Sequence, residues 1–321
     1  MSIHLALEID GAGSHPGARG GLPDTEAAAV AEAAGFALIT INDSPLTRSA
    51  EAGVRASYLA RRTRRVGLAP TLHPALTEPF HLATQLAALD HASQGRGAWV
   101  VGAENSAAAH ATIGSKPLAG DVLRQEIADV IDVARLLWDS WEDDAVIRDV
   151  ASGRFLDPDR VHHVNFTGER FSVVGPLITP RPPQGQLVVV AADDLTDKPD
   201  IAVIAAPTVD EIAARANAAN APLTFAEIDV LLGTDRLAEL DARKPWGEPE
   251  RLRFTGDADE FRALLATLEG IVDGVRIHPA VLEIDLPRLA VATRRGPVGG
   301  PTLREALGLP RPVNVFAGES R

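Results

Sequence analysis

Residues 66–101 read VGLAPTLHPALTEPFHLATQLAALDHASQGRGAWVV, and this stretch holds the pattern that decides the fold. An apolar run over Val66–Leu72 is followed by a helical stretch over Pro79–His91 and by a second apolar run over Ala98–Val101. Short runs that are apolar throughout are typical of parallel strands buried on both faces. The stretch therefore predicts a strand–helix–strand unit.

The same alternation continues on both sides of this unit. The predicted strands are 5–9, 37–41, 66–72, 98–101, 187–192, 201–205, 223–232 and 275–277. The predicted helices cover about 24–35, 49–62, 79–91, 119–138, 208–219, 257–268 and 286–293. Eight strands that alternate with helices predict the α/β class and, within it, a (β/α)8 TIM barrel.

Three segments depart from the alternation. Residues 141–184 are rich in Pro and Gly and predict a surface hairpin excursion between strands four and five, with β-like pieces at 161–166 and 170–174. Residues 234–255 predict a long loop above strand seven, and a tail over about 296–321 predicts one short helix. Since no repeat or linker divides the chain, we expect residues 1–321 to form a single barrel domain.

Composition excludes several classes of function. The chain has 321 residues, no Cys and a formal net charge of −13, and aromatic residues make up 4% of it. An acidic surface with few aromatic residues argues against nucleic-acid partners and anionic membrane surfaces. Without Cys there is no thiolate nucleophile, disulfide or iron–sulfur cluster. No apolar run is long enough to span a bilayer, so we expect a cytoplasmic protein without a membrane partner.

In a barrel of this kind, chemistry belongs at the C-terminal ends of the strands. Asp10 and Asp43 follow neighbouring predicted strands and invite an acid–base pair, although such residues also cap the following helix or bond loop amides. His73 follows the third strand. The adjacent His162 and His163 would point to opposite faces of a strand, so we predict no metal site.

Several longer stretches are similar to one family. They are Glu78–His81, Leu89–Arg96, Leu137–Ala145, Asp157–His162, Phe171–Leu177, Pro180–Gly185 and Thr302–Pro312. Together they resemble the bacterial-luciferase-like flavin-dependent monooxygenases, and within them the nitrilotriacetate and sulfone monooxygenase branch. The resemblance covers nearly the whole chain.

This resemblance implies a luciferase-like TIM barrel that forms a homodimer. It implies FMN as cofactor, reduced by a partner flavin reductase, and O2 as co-substrate. The implied activity is oxygenation of a small organic substrate, often with cleavage of a C–N or C–S bond. The enzyme would then be an oxidoreductase of the two-component type.

The resemblance also assigns candidate roles to residues. It makes His15 and Asp43 catalytic candidates, and His73 joins them because of its position after strand three. The cofactor-binding candidates are Thr71, Gly102, Ala103, Arg124, Ala192 and Asp193. Thr71 ends strand three, where the flavin ring rests in relatives. Relatives carry small hydrogen-bond donors after strand five, whereas this chain carries Asp193 and Asp194, so Arg124 is expected to replace the lost phosphate donor.

Two alternatives stay open at this point. A related barrel could use the deazaflavin F420 for hydride transfer, and the phosphate of that cofactor would meet the same acidic loop. A non-catalytic descendant could keep the fold and bind a partner. The substitutions around the phosphate loop are the reason for keeping the hypothesis of a non-catalytic protein.

Overall fold

The computed structural model describes residues 3–9, 11–296 and 298–318. Its strands, numbered in chain order, are β1 (His4–Glu8), β2 (Leu38–Ile41), β3 (Gly67–Leu72), β4 (Ala98–Val101), β5 (Val146–Asp149), β6 (Arg154–Leu156), β7 (Phe166–Thr167), β8 (Ser172–Val173), β9 (Val188–Ala192), β10 (Ile201–Ile204), β11 (Leu223–Leu232), β12 (Leu252–Gly256) and β13 (Gly274–Pro279).

Eight of these strands close into a parallel barrel. The order around the ring is β1, β2, β3, β4, β9, β10, β11 and β13, and β13 pairs with β1 to complete it. At the closing seam Leu7 lies opposite Ile277 on one side and opposite Ile39 on the other. The (β/α)8 barrel and its eight predicted strands are confirmed.

The helices are α1 (Asp24–Ala34), α2 (Ala52–Ala60), α3 (Pro79–Ser93), α4 (Ala107–Thr112), α5 (Gly120–Asp139), α6 (Val209–Ala218), α7 (Leu237–Arg243), α8 (Ala258–Leu268), α9 (Leu282–Ala292) and α10 (Leu303–Ala306). Thr208 caps α6, and Asp257 caps α8 with a full capping box. Helix α9 begins four residues before the predicted Leu286, and Pro287 lies inside it. No helix in the described ranges combines the length and apolar character that a membrane span requires.

Small and branched side chains fill the barrel interior. Ala6, Ala69 and Ala98 leave room for larger neighbours such as Val190 and Phe225. The outer faces of the strands pack against the helices in two further apolar clusters. Because the strands are buried on both faces, they contain few of the polar–apolar alternations that mark a half-exposed sheet.

Helix α10 closes the N-terminal end of the barrel. Leu303 is buried there and packs against the backbone of Gly67. A Cβ on Gly67 would lie 2.7 Å from Leu303 Cδ1, so only glycine leaves room for this side chain. The neighbouring Arg304 donates two hydrogen bonds to the carboxylate of Asp200, at 3.1 and 3.0 Å. The tail is therefore part of the barrel core.

The excursion differs in detail from its prediction. Strands β7 and β8 pair over only two residues each, because Val164 and Asn165 both donate their amides to Val174 O and end the ladder. A second hairpin of β5 and β6 lies earlier in the segment and was not predicted. Its strands are mostly exposed, so they lack the apolar pattern on which strand prediction depends.

The predicted long loop over residues 234–255 is wrong. The segment contains α7 and β12, and β12 pairs in parallel with the C-terminal half of β11, from Ile228–Leu252 to Leu232–Gly256. Strand β11 has ten residues, whereas its neighbour β10 ends at a residue paired with Ala226. The upper part of β11 would otherwise present a free edge, and β12 covers it.

Asp90 ties the end of α3 to the entry of β4 and to the excursion. It is fully buried, and Oδ1 accepts hydrogen bonds from Gly97 N at 2.9 Å and Gln184 Nε2 at 2.6 Å. Burial raises the pKa of this carboxyl from 3.8 to about 6, although the hydrogen bonds from Gly97 and Gln184 oppose the shift. Asp90 and Gln184 both belong to stretches that resemble the family. In this fold their hydrogen bonds hold α3, β4 and the excursion together.

We expect Asp90 to make stability fall as pH rises. The folded pKa is above the unfolded one, so the folded state binds more protons between pH 3.8 and about 6. The free energy of unfolding should decline across this window by about 3 kcal/mol more in the native chain than in Asp90→Asn. Urea unfolding over a pH series measures the difference. Asp210→Asn, at an exposed position, should keep the native slope, and equal slopes in all three proteins would contradict the expectation.

Leu303→Ala should destabilise the protein by about 2–5 kcal/mol, because it leaves a cavity where the Leu303 side chain fills the N-terminal end of the barrel. Val313→Ala is the matched control in the same tail, since Val313 is 83% exposed and its truncation leaves no cavity. Denaturant unfolding of both variants checks the difference. A loss in Leu303→Ala no larger than in the control would show that α10 does not close the barrel.

Candidate functional site

The cofactor candidates lie along one arc of the barrel mouth. Thr71 is on β3, Gly102 and Ala103 follow β4, and Ala192 and Asp193 stand at the end of β9. These three strands are consecutive neighbours in the ring, so the structure brings the C-terminal ends of all three together. Arg124, near the start of α5, faces the loop that follows β9.

Thr71 has an unsatisfied polar atom. It is 5% exposed, and its Oγ1 makes no hydrogen bond within the described part of the chain. The residue lines a cavity of about 270 Å³ that also contains Asp43 and His73. Since a buried hydroxyl without a partner costs free energy, this atom is a candidate contact for a ligand.

His73 is held in one orientation by two backbone groups. Its Nδ1 accepts from Glu104 N at 3.2 Å, which places the proton of the neutral ring on Nε2, and Nε2 donates to Asp43 O at 3.0 Å. Gly102 makes room for this ring, because a Cβ there would lie 2.1 Å from His73 Nδ1. His73 and Gly102 therefore form one unit on the arc.

Asp43 has both carboxylate oxygens engaged by amides. Oδ1 accepts from Ser44 N and Oδ2 from Ala52 N, each at 2.8 Å, so the side chain holds the loop that leads into α2. This is the capping arrangement that the sequence offers as the alternative to an acid–base role. Asp10, the other member of the pair, lies outside the described residues.

His15 lies away from the arc and is buried under the loop that follows β11. Its Nδ1 accepts from Gly17 N at 2.9 Å, and Nε2 lies 3.3 Å from Asp241 Oδ1. The ring packs on Trp246 with 4.6 Å between centroids. Burial lowers the pKa of His15, against the opposing effect of Asp241. These contacts join two loops of the barrel mouth.

Arg124 borders a groove of about 560 Å³ together with the acidic loop after β9. No hydrogen bond or ion pair with another described residue engages its guanidinium, whereas Asp193 is bound by Arg215. Arg215 Nε and Nη2 donate to the two oxygens of Asp193 at 2.8 and 2.5 Å. The charge of Asp193 is therefore compensated, and Arg124 is available to a ligand.

Sequence reasoning missed a buried charged cluster on the opposite arc. Arg276 on β13 bonds to Glu8 on β1, to Glu227 on β11 at 2.8 Å, and to Thr40 Oγ1 at 3.0 Å. His278 Nε2 lies 3.2 Å from Glu227 Oε1. All of these residues are at least nine-tenths buried. The available signal was the alternation of charged and apolar residues along 227–229 and 275–278, in runs read simply as strands.

Glu227 is ionised within this cluster. Burial alone would raise the pKa of its carboxyl, but the Arg276 guanidinium, with smaller effects from His278 and Arg251, holds the pKa well below the ordinary value. Among the described residues, no group of three or more His, Asp or Glu side chains is arranged to hold a metal ion.

A family model described as luciferase-like monooxygenase matches residues 10–206, more than half of the chain. The chain belongs to the luciferase-like monooxygenase family. The matched range includes the arc of β3, β4 and β9, whereas β11 and β13, which carry Glu227 and Arg276, follow it. Most of the charged cluster therefore lies outside the matched range.

Individual relatives and a solved structure show the extent of the similarity. A component of pristinamycin IIA synthase from Streptomyces pristinaespiralis is 31% identical over 301 residues, which cover 91% of each chain. N-acetyl-S-(2-succino)cysteine monooxygenase of Bacillus subtilis (strain 168) is 42% identical over 142 residues, which cover 44% of this chain but 32% of that relative. The crystal structure of riboflavin lyase with modified FMN and substrate riboflavin has a TM-score of 0.76 at 19% identity, with 96% of each chain covered.

Gly102→Ala should disturb the His73 unit. The added Cβ must displace the imidazole ring and its two hydrogen bonds, which we expect to cost about 1–3 kcal/mol of stability. Gly296→Ala is the matched control, because a Cβ there meets no atom within 4 Å. Denaturant unfolding compares the two, and equal stabilities would contradict the close packing of Gly102 on His73.

Proposed function

We propose that this protein is a monooxygenase that uses reduced FMN and O2 to oxygenate a small organic substrate. The observation that carries the proposal is the arc at the mouth of β3, β4 and β9. There, a family barrel combines an unsatisfied buried hydroxyl, a small-residue rim and an unpaired guanidinium. The cavities along it approach the size of ordinary cofactor and ligand sites.

The residues on the arc fit a flavin mononucleotide. Thr71 would bind the ring, since its Oγ1 needs a partner, and His73, which Gly102 accommodates, would border the ring in the same cavity. Arg124 would hold the phosphate, because a guanidinium fork suits phosphate oxygens. Reduced FMN, when bound, supplies the electrons with which O2 is activated.

The residues of the arc would bind the flavin, orient its ring and shield it from water. Ala103 and Ala192 leave the rim of the arc open to a planar ring, and the buried walls limit the access of water. His73 presents a fixed Nε2–H to its backbone partner, so it positions the loop between β2 and α2 beside the ring. Asp43 holds the same loop in place, because its carboxylate accepts hydrogen bonds from two backbone amides.

The partners follow from the same proposal. A separate flavin reductase in the cytoplasm would deliver reduced FMN, and a second copy of the chain would complete a homodimer. Support for an interface comes from the exposed apolar side chains of Val54 and Tyr58 on the outer face of α2, which are 58% and 54% exposed. The deazaflavin F420 is the less favoured cofactor.

Removal of the unpaired guanidinium tests the cofactor site. We expect Arg124→Ala to raise the Kd for FMN about tenfold, or ~1.4 kcal/mol. The double change Asp193→Ser with Asp194→Ser should lower the Kd, because it removes two anions and frees Arg215. Arg61→Ala is the control, since Arg61 is exposed at the opposite end of the barrel.

Anaerobic titration with reduced FMN and aerobic titration with oxidised FMN and F420 give these constants at low salt. Binding of F420 without FMN would replace the proposal with hydride transfer. If no flavin binds at high micromolar concentration, the reading of a non-catalytic family member stands instead. An unchanged Kd in Arg124→Ala would remove Arg124 from the phosphate site.

A further inference from the structure

A second cavity, of about 290 Å³, opens on the arc of β11, β13 and β1. Glu8, Glu227, Arg251, Arg276 and His278 line it, and four of these five residues are at least nine-tenths buried. In the ring, β11 and β13 are directly opposite β3 and β4. The cavity therefore faces the proposed flavin arc across the barrel mouth, and its use as a substrate site rests on the proposed function.

The two carboxylates of the cavity each have one engaged and one free oxygen. Glu8 Oε2 accepts from Thr40 Oγ1 at 2.5 Å and from Arg276, while Glu8 Oε1 is buried without a partner among the described residues. Glu227 Oε1 accepts from Arg276 at 2.8 Å and from His278 at 3.2 Å, and no described donor reaches Glu227 Oε2. The cavity thus offers two acceptors that need donors.

The formal charges of the described lining residues also leave an excess of negative charge in the cavity. Arg251 is matched by Asp229, to which it donates at 3.0 Å, so Arg276 alone faces the two carboxylates of Glu8 and Glu227. The formal charges of Glu8, Glu227 and Arg276 therefore sum to one uncompensated negative charge in a buried site. Such a charge is costly unless a cation pairs with it.

We propose that this cavity binds the protonated amino group of a small amine substrate, between Glu8 Oε1 and Glu227 Oε2. An ammonium carries three donors and one positive charge, so it satisfies both free acceptors and balances the cluster. A carboxylate would instead meet two anions, because the guanidinium groups of Arg251 and Arg276 are already bonded to Asp229, Glu8 and Glu227.

The first experiment compares three probes of equal length on the unaltered protein: n-butylamine, n-butanol and butyrate. NMR chemical-shift titrations at about pH 8, where the amine probe is protonated, give each Kd without any flavin. We expect n-butylamine to bind about tenfold more tightly than n-butanol, and butyrate to bind most weakly. Butyrate as tight as the amine, three equal constants or no amine binding would each overturn the proposal.

The second experiment removes each free acceptor in turn. Glu8→Gln and Glu227→Gln should each weaken n-butylamine about tenfold and leave n-butanol nearly unchanged, because each amide lacks the charge. Glu239→Gln is the matched control, since Glu239 is exposed on α7 and paired with Arg243. Native amine affinity in both cavity variants would overturn the assignment, and the comparison of probes on the native chain stands if either variant fails to fold.

These measurements separate the two proposals. Amine binding without flavin binding would remove the monooxygenase and leave an amine-binding barrel. Flavin binding without amine selectivity would keep the monooxygenase and place its substrate class elsewhere.

Discussion

The bridge made by Arg276 is the interaction on which the barrel mouth depends. Its guanidinium bonds to Glu8 and Glu227, and so joins β13 to both of its neighbours at the seam where the first and last strands of the ring meet. Loss of this cation would leave two buried carboxylates without compensation, at a cost well above that of a surface ion pair. The seam and the cavity beside it therefore form one electrostatic unit.

The barrel separates two kinds of surface on opposite arcs. The arc of β3, β4 and β9 presents small residues and the unpartnered hydroxyl of Thr71, with Arg124 of α5 beside it, whereas β1, β11 and β13 present a buried network of charged side chains. A planar aromatic cofactor suits the first surface and a small polar molecule suits the second.

The sequence predicted the barrel well because its strands are buried on both faces. Most give a short apolar run, and some of the helices begin at a side-chain cap, as at Thr208 and Asp257. Prediction failed where local signals are weak. Strand β12 is only half-buried and forms because β11 offers an edge, and the hairpin of β5 and β6 is exposed. For the site, the sequence placed Thr71 and Gly102 at strand ends, but it could not show that Arg215 compensates Asp193, because that contact depends on a partner distant in the chain.

What the sequence by itself determined is the alternation of buried strands and helices, and with it the barrel and the edge at which its chemistry must lie. Only the tertiary structure decided which charges meet. Glu8, Glu227 and Arg276 are separated by more than two hundred positions at their extremes, and closure of the ring makes them neighbours. Hydrophobic periodicity is a local property that a chain records in its order, whereas the pairing of buried charges arises only when distant strands are hydrogen-bonded side by side.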